Sequence, residues 1–115
     1  MRKQPEEMSL LLRFFGATPA MRVIDFLMEN YLFEYLKKEM AEGAGISRVT
    51  LYKLFPRLVS EGIVVETRRI GRGRFYKINR RSEIVKKLYA IDFKLIEGFA
   101  NEVESKQKIL AKISA

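Results

Sequence analysis

The tightest constraint on this chain is a joint between two short amphipathic stretches near its middle. Gly43-Ala44-Gly45 separates a helical stretch beginning near Leu36 from a second one that runs from Ser47 to about Glu61. Three small residues in a row break a helix, and Gly45 allows a positive φ that other residues reach only at a cost. Ser47 is placed to cap the second helix and Gly62 to stop it. Met40, Ala41, Ala44, Ile46, Leu51 and Leu54 fall where the two helices meet. Ala41 is small where the second helix crosses, and Ile46 fills the corner. Phe55 and Leu58 extend the inward face. This pattern predicts a helix-turn-helix; the plainer alternative is an α-hairpin inside a helical core.

The flanking segments narrow the choice. Ile63-Val64-Val65 reads as a strand, Ile70-Gly71-Arg72-Gly73 as a turn, and Arg74 to Asn79 as a second strand. In that strand Tyr76 and Ile78 share one face, with Phe75 and Lys77 on the other. Two strands around a glycine turn make a β-hairpin. The glycines do not extend into GxGxxG and no helix follows, so a phosphate-cradling nucleotide loop is not expected. Upstream, residues 6–15 read as a short helix ended by Gly16, with a strand as the alternative. Thr18 and Pro19 then open a helix that runs to about Asn30. Its core face is Ala20, Val23, Ile24, Leu27 and Tyr31. Tyr31 to Tyr35 is an aromatic connection expected to pack under the next helix. Ser82 caps a last helix that continues to the end, with Gly98 its one glycine. The expected fold is mainly α with a small β-hairpin. It divides into a helical extension at 1–17, a helix-turn-helix and hairpin domain at 18–81, and a C-terminal helix at 82–115.

The chain has no Cys and no His among its 115 residues. That leaves no thiolate nucleophile, no usual zinc ligand set and no histidine base. No carboxylate pair with flanking site residues stands out, so neither an enzyme nor a cofactor or metal site is expected. The longest uncharged run, Phe14 to Met21, is far short of the roughly 20 residues a membrane helix needs. Arg2 and Lys3 precede Leu10-Leu11-Leu12, but Glu6, Glu7 and Arg13 interrupt, so a secretory leader is not expected and a cytoplasmic location is. The charge balance is informative: 22 Lys+Arg against 14 Asp+Glu, a net +8. Between Ile46 and Arg81 there are ten basic and two acidic residues, while the rest of the chain balances. Thr67 to Ser82 holds seven basic residues and no acidic one. A merely solvated face mixes signs; a one-signed block points to a polyanion.

The outward face of the second helix carries Ser47, Arg48, Val49, Thr50, Tyr52, Lys53 and Arg57. Hydroxyls, cations near the helix start, and apolar and aromatic groups are what a major groove takes. The following hairpin adds Arg68, Arg69, Arg72 and Arg74, and its end adds Arg80 and Arg81, all suited to phosphates, with one arginine entering a minor groove.

The run ISRVTLYKLFPRLVSEGIVVETRRIGRGRFYKIN, within Pro19 to Asn79, resembles the winged helix-turn-helix domain of prokaryotic, especially archaeal, transcription regulators of the MarR/ArsR-like kind. The resemblance implies that Ser47–Pro56 is a recognition helix in the major groove. It also implies that the wing around Ile70–Arg74 touches the backbone or minor groove. Metal-sensing members use Cys and His, which this chain lacks, so metal sensing is not implied. Pro56 departs from the pattern. Either it kinks the helix to suit the groove or the helix tolerates a bend, the simpler reading.

The last helix carries a seam in alternating steps of four and three: Val85, Tyr89, Asp92, Ile96, Phe99, Val103, Lys106, Leu110 and Ile113, widened by Leu88, Ile91 and Leu95. Its first turns suit the chain's own domain; the remainder predicts a homodimer. Asp92 and Lys106 lie symmetrically about Phe99, so an antiparallel pair would set opposite charges face to face. The sequence thus predicts a homodimer on double-stranded DNA. The alternatives are a winged-helix module that binds protein, which would show an apolar patch in place of concentrated charge, and an RNA-binding protein.

Overall fold

The computed structural model describes residues 8–114 and runs α1 (Leu10–Phe15), α2 (Pro19–Glu29), α3 (Lys37–Ala44), α4 (Arg48–Ser60), β1 (Val64–Ile70), β2 (Gly73–Ile78) and α5 (Glu83–Ser114). Residues 2, 3, 6 and 7, on which the leader argument turned, lie outside the described residues, as does the rest of 1–7.

Side-chain caps set most boundaries. The hydroxyls of Ser9, Thr18 and Ser47 accept from the backbone N–H of Leu12, Met21 and Thr50, three residues on in each case. Ser82 does the same for Val85 at 3.3 Å. The Leu36 N–H donates to the Glu39 carboxylate at 2.8 Å, which serves an otherwise uncapped start of α3. Pro19 occupies the first turn of α2, where its missing N–H costs nothing. α4 continues through Pro56 to Ser60, so the proline does not end the helix.

α3 passes through Gly43 and Ala44 and stops at Gly45, whose φ of 71° and ψ of 36° are left-handed. The helix thus ends within the expected Gly43-Ala44-Gly45 break, at its last glycine. Gly43 is glycine for a different reason: a Cβ there would lie 2.3 Å from the Phe26 ring of α2. Bare backbone lets the two helices approach.

One core joins the elements. Val23, Leu27, Met40, Leu51, Val64, Ile78 and Val85 are fully buried in it, and Ala41, Phe55, Leu58, Ile63 and Tyr76 nearly so. Asp25 is buried beside it and accepts from the Ser9 hydroxyl at 2.8 Å, which ties α1 to α2. Val85, the first residue of the seam expected to pair two copies, does not face a partner. Its side chain is consumed by its own domain, with 0% exposed, so it offers a partner no surface.

The hairpin is antiparallel, in register from Val64 opposite Ile78 to Ile70 opposite Gly73, with an irregularity at Thr67. β1 is longer than its apolar start suggests. Beyond Val64 every residue is exposed, so no alternation marks the strand. Tyr35 exchanges both backbone hydrogen bonds with Tyr76, at 2.8 and 2.9 Å, and adds a one-residue third strand. Tyr31 and Tyr35 of the connection pack against the core as expected. Leu32 and Phe33 do not: they point to solvent.

α5 has 32 residues, about 48 Å at 1.5 Å per residue, and gives the molecule its 65 Å long axis. Its first turns pack on the core through Leu88, Tyr89, Ile91 and Leu95. From Phe99 onward every described residue is exposed. Among the described residues no helix is long and apolar enough to cross a membrane.

Candidate nucleic-acid interface

The two faces of α4 divide sharply. Leu51, Phe55 and Leu58 are buried, whereas Val49 and Tyr52 are 64% and 53% exposed. Arg48, Lys53 and Arg57 are exposed on the same outer side. The exposed valine and tyrosine lie between cations and are groups that could meet base edges. Ser47 and Thr50 are committed to the cap: the Ser47 hydroxyl accepts from the Thr50 N–H and donates to the Thr50 hydroxyl at 2.8 Å. Arg57 lies on the last turn, held by Glu61 at 2.8 Å.

The wing is locked to this helix. The Phe55 ring of α4 meets the Tyr76 ring of β2 edge-on at 4.7 Å, and Tyr76 is paired with Tyr35 behind it. α4 and the wing are therefore joined through packed aromatic rings.

The wing arginines differ in their surroundings. Arg68 stacks over Phe75 at 4.7 Å and is ion-paired with Glu34. Glu34 also accepts from the Thr67 hydroxyl. That hydrogen bond is the largest influence on the Glu34 carboxyl; burial opposes it, and Arg68 adds to it, so the carboxyl is held below its ordinary range. Glu66 lies 3.2 Å from Arg69 and 3.8 Å from Arg74. These pairs are partly exposed and weak, so phosphates could displace them. Arg72 stands at the tip, next to Gly71 with its φ of 60°. Arg80 and Arg81 lie at the other end of β2. Arg80 stacks on Tyr31 at 4.3 Å and approaches Tyr89 at 5.9 Å, while the Tyr89 hydroxyl donates to the Met28 carbonyl at 2.8 Å. Arg80 thus bridges the connection after α2, through Tyr31, and α5, through Tyr89, apart from the wing tip. The Arg81 N–H donates to the Asn79 side chain, and its own side chain is exposed.

Arg48, Tyr52, Arg72 and Arg74 come together with Lys37 and Lys38 around a cleft of about 290 Å³ between α4 and the wing. The two lysines lie outside the basic segment counted from the sequence. A signal was present: a cation pair at the first turn of a helix opposes the helix dipole and so has no local benefit.

The residues of the α5 seam divide likewise. Leu88, Tyr89 and Leu95 are half-buried on their own domain. Asp92 is also half-buried, and burial pushes its carboxyl above the ordinary range. Ile96, Phe99, Val103, Lys106, Leu110 and Ile113 are exposed, with Phe93 and Ile109 beside them.

Neither a family model nor a curated protein matches the sequence. Solved structures do match. NadR in complex with 4-hydroxyphenylacetate is 22% identical over 96% of this chain and 92% of its own, with a TM-score of 0.60. The transcriptional regulator Tm0710 from Thermotoga maritima is 28% identical over 90% of this chain and 76% of its own, with a TM-score of 0.53. MepR, a transcription regulator of the Staphylococcus aureus multidrug efflux pump MepA, is 11% identical over 90% of this chain and 79% of its own, with a TM-score of 0.62. Tm0710 and MepR are transcription regulators, and all three structures match over most of this chain's length. The chain has the winged helix-turn-helix fold of MarR-like transcriptional regulators, as the resemblance in its sequence implies.

Proposed function

We propose that the protein is a homodimeric transcription regulator that binds double-stranded DNA in a sequence-specific manner. α4 enters the major groove, where Arg48, Val49, Tyr52 and Lys53 meet base edges. Arg68, Arg69, Arg72 and Arg74 of the wing contact the backbone or minor groove. The observation that carries this reading is the outer face of α4. It exposes valine and tyrosine between cations, while Leu51, Phe55 and Leu58 on the inner face are buried.

The homodimer reading is supported by α5, whose distal half presents Ile96, Phe99, Val103, Leu110 and Ile113 to solvent. A helix so apolar on one side gains by burying it, and a second copy offers the same seam. An antiparallel pair would set Asp92 against Lys106 of the second copy. Two recognition helices related by a twofold axis would read a palindrome with half-sites one or two turns apart, roughly 10–20 bp.

Selection of bound sequences from random duplex DNA tests the reading. A recovered palindrome with that spacing supports it; recovery of no preferred sequence removes the sequence-specific part. Competition by structured RNA separates duplex DNA from RNA as the ligand.

A further inference from the structure

We propose that the cleft between α4 and the wing seats backbone phosphates of the DNA, with Lys37 and Lys38 of α3 as the contacting groups. The proposal rests on the DNA-binding reading above. Cations from three separate parts of the chain converge there: Lys37 and Lys38 from α3, Arg48 from α4, and Arg72 and Arg74 from the hairpin, with Tyr52 beside them. No carboxylate lines the cleft. Glu42 lies 4.0 Å from Arg48 and Glu66 lies 3.8 Å from Arg74, both contacts at the limit of an ion pair. Among the described residues no carboxylate lies within 4.0 Å of Lys37, Lys38 or Arg72.

Five like charges around one concavity repel each other, and an anion between them relieves that repulsion. The lysines are the first two residues of α3, where the positive end of the helix dipole makes cations unfavourable. The helix dipole therefore does not explain them, whereas a phosphate between that helix end and the ammonium groups would. Lys37 is already positioned: its Nζ lies 4.9 Å from the Phe55 ring centre and 5.6 Å from that of Tyr52. Those two rings belong to α4, so the ammonium is fixed relative to the reading helix. A phosphate held there would set the register of α4 in its groove, as backbone contacts do. The same chemistry would also accept a free oligophosphate.

Two measurements on the full chain separate these sources. Tripolyphosphate is titrated calorimetrically into DNA-free protein, and the salt dependence of duplex binding is measured separately. The variants are K37Q/K38Q, the single K38Q, and the control K108Q/K112Q at the far end of α5, each checked by thermal melting. Lys38 touches no ring, so K38Q guards against a fold defect from loss of the Lys37 contacts. Tripolyphosphate affinity is expected to fall about fivefold or more in K37Q/K38Q and to be unchanged in the control. The slope of log affinity against log salt is expected to fall by about 1 per lysine. Equal tripolyphosphate binding by K37Q/K38Q and the native chain overturns the cleft as a phosphate site. An unchanged slope overturns the DNA backbone as its occupant. Absence of any duplex binding by the native chain, with lysine-dependent tripolyphosphate binding retained, refutes the regulator reading and leaves the cleft as a site for free phosphates.

Discussion

Leu51→Ala and Val49→Ala, two residues apart on α4, should have opposite consequences. Leu51 has no exposed surface and belongs to the core with Met40, Ala41 and Phe55. Its truncation removes three carbons, about 2.4 kcal/mol of transfer free energy at ~0.8 kcal/mol each. A cavity of ~60 Å³ that does not collapse adds about 1.4 kcal/mol. The expected loss is therefore about 2.5–4 kcal/mol. Val49 is 64% exposed, and its truncation should cost less than about 0.5 kcal/mol. Urea unfolding followed by circular dichroism reads both. With a slope of ~1.5 kcal/mol per molar urea, a loss of 3 kcal/mol lowers the midpoint by about 2 M. All variants are compared at one protein concentration, because self-association stabilises the folded state by mass action. In a duplex-binding titration Val49→Ala should lose discrimination between preferred and altered sites while keeping its stability. A Leu51→Ala loss below about 1 kcal/mol, or equal losses for the two variants, would mean that α4 is rotated from the placement argued above.

Three further outcomes are expected. Glu34 keeps its charge to lower pH in the folded chain than its ordinary 4.5, so it contributes stability above that value and loses it as pH falls through the folded value. Asp92 is raised from 3.8 and holds its proton longer when folded, so its contribution declines as pH rises from 3.8 through the folded value. At protein concentrations low enough to keep the chain monomeric, E34Q and D92N should accordingly change the pH dependence of urea midpoints in opposite directions, E34Q below pH 4.5 and D92N above pH 3.8; changes of the same sign would contradict the assigned environments. Leu110→Asp, at an exposed position of α5, should convert a dimer to a monomer in sedimentation without lowering the content of helix, and an unchanged mass would exclude the α5 seam. Asp92→Lys and Lys106→Asp should each weaken an antiparallel dimer and together restore it, and failure of the pair to exceed either single change rules out that arrangement.

Much of the fold was legible because its signals are local. Thr18, Ser47 and Ser82 cap where their hydroxyls predict, and Gly45 takes the left-handed conformation its position requires. The alternation of Phe75, Tyr76, Lys77 and Ile78 gives the buried side of β2 correctly. What stayed hidden depends on partners distant in sequence. Gly43 reads as a helix breaker until the Phe26 ring is seen against it. The pairing of Tyr35 with Tyr76 spans 41 residues and leaves no periodic trace. Val85 shows the same limit in α5: a heptad marks an apolar stripe but not which surface covers it, and the domain's own core takes the first turns. In the candidate site the outer face of α4 followed from the inner one by helical geometry. Lys37 and Lys38 did not, because they reach the cleft only through the crossing of α3 beneath α4 and the wing.

The most direct test of the account is a titration of the native protein and R48A/K53A against a duplex selected from random sequence and a scrambled duplex of equal length, at several salt concentrations. The native chain should bind both, the selected duplex at least 10³-fold more tightly, with affinity falling steeply with salt. R48A/K53A should lose most of that preference while retaining salt-dependent binding to both. No binding by the native chain even at low salt, or equal affinity for the two duplexes, would contradict the claim that α4 reads DNA sequence.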